Sequence, residues 1–306
     1  MSLFTLIIVF LLEQVSPLPY QRLVARPVQG LADMLSSRFN AGGYRHGLAA
    51  WLVVVVPAVF LSLLLYVLLY RLNPLLALGF NVAVLYLTMG FRQFSHHYTE
   101  IQLALRLGDV DRARSLLAEW QGISDPTLGA SDISRLAIEK ALADSHRHVF
   151  AVLLWFVILP GPCGAVLYRL SALLADHWQK KSGDEGDFVR FAQQAFAIID
   201  WLPVRATASA FAVVGDFEDA VYCWRTQAGL WPNPEMGIVL ASGAGALGVQ
   251  LGMPVYASGE ASDASELGLG NPADVDFMQS AVGLVWRATV LWVLLLFLLG
   301  LASLIS

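Results

Sequence analysis

The sequence predicts an all-α protein whose helices cross a membrane several times. Of its 306 residues, 57% are hydrophobic and only 14% are charged, whereas a soluble domain of this size has about 25% charged residues. The mean hydropathy is +0.61. Several apolar runs approach the roughly 20 residues that a helix needs to span the hydrocarbon core of a bilayer. A membrane is therefore the environment that this composition requires.

Charge and cysteine content exclude several other classes of protein. The net charge is −5, so the sequence lacks the basic footprint of a nucleic-acid-binding protein, and we expect no nucleic acid among its partners. The two cysteines, Cys163 and Cys223, are too few for a disulfide framework or a cysteine-based metal site. Because Cys163 lies inside an apolar segment, we expect it to have a packing role.

The first third of the chain contains three predicted membrane helices. Residues 3–15 lack the basic start and the small-residue cleavage site of a secretory signal, so we interpret them as a retained first helix. Residues 49–70 and 75–91 form two longer apolar runs. The Arg71-Leu-Asn-Pro74 turn between them predicts a transmembrane hairpin with this turn on the external side.

A charged segment follows at about 92–147, and its pattern is that of amphipathic helices. Gly108-Asp109 separates two helical stretches, and Asp125-Pro126 marks a loop. Like the segment from Arg22 to Arg45, it is rich in arginine. The positive-inside rule places both segments in the cytoplasm and the N-terminus outside. We therefore interpret 92–147 as a cytoplasmic helical insert.

The central apolar segment, 148–174, is interrupted by Pro160-Gly-Pro-Cys-Gly164. One interpretation is a single kinked helix that spans the membrane. The other is a re-entrant pair of half-helices, each too short to cross alone. Broken backbone at membrane depth must be buried in protein or face a water-filled cavity, so we expect this segment inside the helical bundle under either interpretation.

The rest of the chain is interpreted as a polar segment at about 176–281 and a last span at 282–305. Within the polar segment, 176–200 is expected to be water-exposed, and 201–215 is expected to form a buried or interfacial helix. We treat residues 1–306 as a single domain of a multi-pass protein. The expected location is the bacterial inner membrane, with the lipid bilayer as a partner.

Sequence motifs for common chemistries are missing. The sequence has no P-loop, dinucleotide fingerprint, nucleophile elbow or zinc motif. Two pairs of histidines, His96-His97 and His146 with His148, have a spacing that does not place both rings on one helical face. We interpret these histidines as membrane-interface residues with solvated tips.

Charged residues inside membrane segments are the usual candidates for functional sites. They are Glu13, Arg169, Arg205 and Arg287. We favour Arg169 and Arg205, because each lies near a helix break or loop and because arginine binds phosphate or carboxylate groups bidentately. The alternatives are extension of the side chain to the interface and internal ion pairs that stabilise the bundle.

A glycine-rich stretch, residues 243–252, has two interpretations. Its backbone N–H groups could bind a phosphate, or its small residues could allow helices to pack closely in the membrane. We predict that it converges with Arg169 and Arg205 on one cavity for an anion. The glycines assigned to this anion site are Gly243, Gly245 and Gly248.

Several different short motifs follow one another along most of the chain. They are Arg26-Pro-Val28, Leu107-Gly-Asp-Val-Asp-Arg-Ala-Arg114, Ala137-Ile-Glu139 through Trp155, Leu167-Tyr-Arg169, Trp201-Leu-Pro-Val-Arg205 and Gly243 to Pro254. Together they resemble the membrane-bound adenosylcobinamide-phosphate synthase family (CobD/CbiB) of cobalamin biosynthesis. The stretches Ser2-Leu-Phe-Thr5 and Ile199 to Arg205 look more like its relative AmpE, a membrane protein linked to β-lactamase induction.

The resemblance implies a reaction that joins an amino-alcohol phosphate to a corrinoid carboxylate with ATP and a divalent metal. The chain departs from the family where the synthases carry acidic or amide side chains. Mg²⁺ chemistry needs carboxylates that hold the metal and bridge phosphates, so these departures argue against an active synthase. The residues at those positions are Ala143, Asp144, Arg147, Ala172, Ala175, Phe196 and Ala197.

Three hypotheses follow from this comparison. The leading one is an AmpE-like regulatory or accessory membrane protein without a cofactor or metal, which acts through a membrane or cell-envelope partner protein. The alternative is a divergent synthase that uses Mg²⁺ and ATP, with Glu139, Asp144 and Asp200 as relocated acids. The third is a membrane protein that binds an anionic small molecule or a lipid phosphate through Arg169 and Arg205.

Overall fold

A computed structural model describes residues 2–15, 24–39, 43–122, 125–182, 187–252, 256–257, 260–261 and 266–305. Almost all of these residues are helical, and the protein is an all-α polytopic membrane protein, as predicted. Among them, the helical stretches long and apolar enough to cross a membrane are Tyr44–Leu72, Ala130–Ile158, Asp187–Val214 and Val275–Ala302.

Thirteen α-helices account for most of the described residues. In chain order they are α1 (Ser2–Val15), α2 (Arg26–Phe39), α3 (Tyr44–Leu72), α4 (Pro74–Thr88), α5 (Phe91–Arg106), α6 (Val110–Gln121), α7 (Ala130–Ser145), α8 (Ala151–Ile158), α9 (Cys163–Ser182), α10 (Asp187–Val214), α11 (Phe217–Gln227), α12 (Pro234–Leu247) and α13 (Val275–Ile305). A π-helix, His146–Phe150, lies between α7 and α8, and a 3₁₀ helix, Ala228–Leu230, follows α11.

Each described strand has only two residues, and these strands form two pairs. Strand β1 (Val249–Gln250) pairs in parallel with β4 (Asn271–Pro272). Strand β2 (Tyr256–Ala257) pairs antiparallel with β3 (Glu260–Ala261). These pairs hold the connection between α12 and α13 and do not change the fold class.

The chain forms two compact units. Unit 1 consists of Met1–Gly90 and Ala151–Pro203, and unit 2 consists of Phe91–Phe150 and Val204–Ser306. The prediction that residues 1–306 form a single domain stays a prediction, and each unit is described by itself below.

The predicted hairpin near the N-terminus is present in unit 1. Asn73 separates α3 from α4, and its side-chain oxygen accepts a hydrogen bond of 2.8 Å from the backbone N–H of Leu75. Pro74 occupies the first turn of α4, where a missing N–H costs nothing. Both residues therefore favour a tight connection. The predicted helices at 3–15 and 282–305 correspond to α1 and to the later part of α13.

The predicted break at Pro160–Gly164 is confirmed, since non-helical residues 159–162 separate two helices, but these helices are longer than either interpretation of 148–174 assumed. Residues 130–158 form one helical stretch of 29 residues, and the next helix starts at Cys163. A Cβ atom added to Gly164 would collide with the carbonyl group of Trp155, so the chain reverses between α8 and α9. The Pro-Gly-Pro motif is the turn between two long helices.

The predicted helical insert at about 92–147 overlaps this long helical stretch, and its cytoplasmic placement stays a prediction. Its last part, from Ala130 onward, belongs to the long stretch that ends at Ile158. From the sequence, its charged pattern is interpreted as that of amphipathic helices. In the structure Arg135 and Asp144 are buried and paired with neighbours on the same helix, so they are compatible with an interior helix.

The prediction that residues 176–200 are water-exposed is also wrong. These residues lie largely in α9 and α10, and both helices contribute to the core of unit 1. Trp178 and Phe188 are buried there, with ring centroids 4.9 Å apart. The polar residues of the segment occupy the opposite helix faces, which a count of charges along the sequence does not reveal.

A proline inside α10 creates a local hydrogen-bonding problem that unit 1 solves. Pro203 has no N–H group, so the carbonyl of Ile199, four residues earlier, lacks its helical donor. The indole N–H of Trp155 donates to this carbonyl at 3.1 Å. Trp155, on α8, therefore restores the hydrogen bond that Pro203 removes.

We predict that Trp155→Phe destabilises the protein by about 1–2 kcal/mol, because it leaves a half-buried carbonyl without a donor. Thermal unfolding in detergent measures this loss. In a Pro203→Ala background the alanine N–H can bind Ile199, so Trp155→Phe should cost much less. An equal loss in both backgrounds would show that the indole acts through packing instead.

Candidate functional site

The residues predicted to form a site are divided between the two units. Arg169 and Asp200 belong to unit 1. The residues that belong to unit 2 are Glu139, Asp144, Arg205, Gly243, Gly245 and Gly248. The predicted convergence of Arg169, Arg205 and the glycine-rich stretch on one cavity therefore stays a prediction.

In unit 2, the carboxylate of Glu139 is mostly buried and has two donors. The backbone N–H of Gly252 donates to its Oε1 atom at 2.7 Å, and Arg135 Nη1 lies 3.4 Å from the same atom. The side chain of Arg135 is 4% exposed and also contacts Asp132. Burying a carboxylate is unfavourable unless donors and opposite charge compensate it, and these contacts provide both.

The glycine-rich stretch delivers Gly252 to this carboxylate. Helix α12 ends at Gly248, which adopts a left-handed conformation with φ of 64° and whose N–H binds carbonyls of the last helical turn. The chain then passes through β1. Leu251 and Leu267 exchange two backbone hydrogen bonds of 2.7 and 2.8 Å, which fix the backbone just before Gly252. Glu139 and Gly252 come together although 113 residues separate them.

Gly243 and Gly245 lie in the buried interior of α12 and contact other helices closely. A Cβ atom at Gly243 would lie 2.7 Å from Leu142 Cδ1, and one at Gly245 would lie 2.8 Å from the Cα atom of Ala220. Both distances are shorter than van der Waals contact. The structure therefore gives a packing explanation for these two glycines, while their predicted role in binding an anion stays untested.

Arg205 and Asp144 each have an oppositely charged partner within unit 2. Arg205 Nη1 lies 3.1 Å from Glu235 Oε2, and both side chains are about a third exposed. Lys140 Nζ lies 2.8 Å from Asp144 Oδ1 on the next turn of α7. These ion pairs agree with the alternative that intramembrane charges pair internally, although an arginine at a partly exposed position can still contact a ligand.

In unit 1, the Leu-Tyr-Arg motif meets the motif that contains Asp200. The hydroxyl group of Tyr168 donates to Asp200 Oδ1 at 2.9 Å, and both side chains are buried. Arg169, the next residue, is 5% exposed. The helices α9 and α10 thus place a carboxylate, a phenol and a guanidinium in the interior of this unit.

The resemblance implies a divalent metal, and the described acids do not form a protein-built site for one. Each of the three candidate acids has a protein donor: Gly252 and Arg135 for Glu139, Lys140 for Asp144, and Tyr168 for Asp200. Within the described ranges no three His, Cys, Asp or Glu side chains come close enough to hold a metal ion.

His146 does not have the solvated position that the sequence analysis predicted for these histidines. His96 is exposed and lies 3.5 Å from Glu100, as an interface residue would. His146 is fully buried, and its Nδ1 atom lies 2.9 Å from the hydroxyl oxygen of Thr207. The interpretation of His146 as a residue with a solvated tip is therefore wrong, because the π-helix directs it into unit 2.

Another family-like motif has a structural role that the sequence analysis missed. In Leu107 to Arg114, Asp109 caps α6 by accepting a 3.0 Å hydrogen bond from the backbone N–H of Arg112. Arg114 donates to the carbonyl of Leu128 at 2.8 Å, which anchors the chain just before α7. The helix-capping pattern was readable in the sequence, but the distant carbonyl was not.

Comparison with known proteins identifies relatives over most of the chain. Residues 6–285 match the family described as CobD/Cbib protein. A cobalamin biosynthesis protein CobD of Stutzerimonas stutzeri is 35% identical over 270 residues, covering 87% of each chain. The CobD of Chromobacterium violaceum is 36% identical, covering 72% of this chain and 70% of the relative. No solved structure matches significantly.

The close packing of α12 yields a second prediction. Gly245→Ala should destabilise the protein by about 1–3 kcal/mol, because the added methyl group overpacks the contact with α11. Gly283→Ala in α13 is the matched control, since a Cβ atom there meets nothing within 4 Å. Thermal unfolding in detergent compares the two variants. Equal stability of both would contradict the packing role of Gly245.

Proposed function

Because this chain belongs to the CobD/CbiB family, we propose that it acts in cobalamin biosynthesis as a divergent adenosylcobinamide-phosphate synthase. This proposal adopts the alternative hypothesis of the sequence analysis. The names of its relatives support it, since they are cobalamin biosynthesis proteins. They give no support to an AmpE-like regulatory role.

The contact between Glu139 and Gly252 is the observation that carries the proposal. The two residues belong to different family-like motifs, the Ala-Ile-Glu stretch and the glycine-rich block. The structure joins them by a 2.7 Å hydrogen bond. A buried carboxylate with a fixed orientation can accept hydrogen bonds from an amine or take up its proton. This is the chemistry that amide bond formation requires of the attacking amino group.

In unit 1, the positions where the resemblance implies acids cannot supply a reactive carboxylate. Ala172, Ala175 and Phe196 are buried among apolar neighbours, and the ring of Phe196 lies 5.6 Å from that of Tyr168. These side chains offer no oxygen atoms. We therefore assign the reactive carboxylate to Glu139, and we keep Asp200, held by Tyr168, as the second candidate.

Each unit contains one arginine that is a candidate for binding an anionic substrate. A corrinoid carboxylate and an amino-alcohol phosphate are both anions, and guanidinium groups bind such anions bidentately. Arg205 is partly exposed beside Glu235, so an anionic substrate could exchange with this carboxylate. Arg169 is the corresponding candidate in unit 1. Among the described residues, no cluster of His, Cys, Asp or Glu side chains could hold a metal ion. We therefore assign no metal-binding residues here.

The decisive test is growth of a synthase-null bacterial strain that is supplied with cobinamide. We expect the full-length protein to restore cobalamin-dependent growth. An empty vector and a known synthase provide the lower and upper limits. Failure to restore growth, with the protein present in the membrane at the level of the known synthase, would contradict the proposed function and favour the regulatory hypothesis.

A third prediction concerns Glu139 and is measured as synthase activity of membranes that contain the protein. Glu139→Gln keeps an oxygen that can accept the Gly252 N–H but removes the charge, so the fold should survive. We expect activity in membranes to fall by about 100-fold or more, as for loss of a general acid–base group. Glu119→Gln, an exposed acid of unit 2, is the control. Unchanged activity of Glu139→Gln would remove this residue from the mechanism.

A further inference from the structure

Helix α2 has an exposed apolar stripe along one face. The exposed residues recur at the i, i+3, i+4 and i+7 positions of one helix face, and they are Pro27, Gly30, Leu31 and Met34. Leu31 is 50% exposed and Met34 is 47% exposed. A soluble surface rarely presents such a stripe on one turn after another, whereas helices that lie in a membrane interface do.

The other faces of α2 attach it firmly to unit 1. Ala32 and Leu35 are buried in its core, and the indole N–H of Trp178 donates to the carbonyl of Ala32 at 3.2 Å. Asp33 Oδ1 lies 2.7 Å from Lys181 Nζ and 3.0 Å from His177 Nε2. The hydrogen bonds from Lys181 and His177 lower the pKa of Asp33 from its usual value. The exposed stripe therefore has a fixed direction.

The position of α2 beside α3 places this stripe near one end of a membrane span. Ala32 and Leu35 share their core cluster with Ala50 and Val55 of α3. Helix α3 has 29 residues and is about 43 Å long at about 1.5 Å per residue, which exceeds the roughly 30 Å of hydrocarbon. Ala50 and Val55 are the seventh and twelfth residues of α3, so α2 packs against the first half of this helix.

Basic side chains surround the same end of unit 1. Lys181 contacts Asp33 directly, and Lys180 precedes it. Arg190 follows Val189, which belongs to the core cluster of α2. Tyr44 donates a hydrogen bond to Gln194 at 3.2 Å, and this contact places the beginning of α3 beside α10. The exposed basic residues of this region are Arg26, Arg45, Lys180, Lys181 and Arg190.

From these observations we propose that α2 is an interfacial helix that inserts Leu31 and Met34 into the bilayer surface and binds anionic phospholipid headgroups through the surrounding basic residues. Lysine and arginine near a membrane surface are attracted to anionic lipids. A second copy of the chain is a poorer occupant, because a two-fold contact at this face would bring the same positive charges together.

The test uses the full chain in vesicles, with a fluorescent bimane label on a single cysteine. In a Cys163→Ser, Cys223→Ser background, Leu31→Cys and Met34→Cys carry the label on the stripe. Gln29→Cys, at a half-buried polar position outside the stripe, is the control. The vesicles contain phosphatidylcholine with or without phosphatidylglycerol, and either lipid carries a shallow spin-label quencher. Aqueous iodide reports exposure to water.

We expect lipid quenching of labels at positions 31 and 34 and iodide quenching at position 29. Spin-labelled phosphatidylglycerol should quench more strongly than phosphatidylcholine, and a Lys180→Gln, Arg190→Gln variant or high salt should remove this difference. Iodide quenching at position 31, or cysteine crosslinking between two copies there, would overturn the interfacial placement. Equal quenching by both lipids at low salt would overturn the binding of anionic headgroups.

Discussion

The whole structure depends on satisfying backbone hydrogen bonds in segments where water cannot do so. An unpaired carbonyl or N–H group is costly in an apolar environment. In α10, where Pro203 removes a backbone donor, the Trp155 indole N–H supplies the missing hydrogen bond. Buried hydroxyl groups find their acceptors on the backbone. The hydroxyl of Thr289 donates to the carbonyl of Val285 on its own helix, so this polar side chain needs no partner from another helix.

Charged residues in the apolar helices follow the same rule. Arg135 lies between Asp132 and Glu139, and Arg205 lies against Glu235. Such pairs compensate charges that would otherwise be too costly to bury, and they also hold reactive groups in fixed positions. A structural and a chemical role are therefore compatible in one residue, which is why intramembrane position alone does not separate the two.

Sequence patterns predicted the elements that depend on local composition, and they failed where distant contacts decide. The apolar runs and the Asn-Pro turn identified α3 and α4, because length and hydropathy are local properties. The Ala-Ile-Glu motif identified Glu139, but its bond to Gly252 depends on how α12 ends and on the Leu251–Leu267 pairing. The burial of Trp178 was missed, because charges on the outer face of α9 concealed the apolar face that packs against α2.

The apolar residues at positions where the family resemblance implies acids have a physical explanation. A buried carboxylate that lacks a ligand or donor destabilises the protein, so its replacement by an apolar side chain removes a cost. Phe196 and Ala172 fill their positions in unit 1 with apolar contacts, while the helices around them keep their packing. Changes at such positions therefore affect chemistry far more than fold. Glu139, Asp144 and Asp200 are largely buried and have protein donors, and we propose that a retained reaction depends on an acid among them.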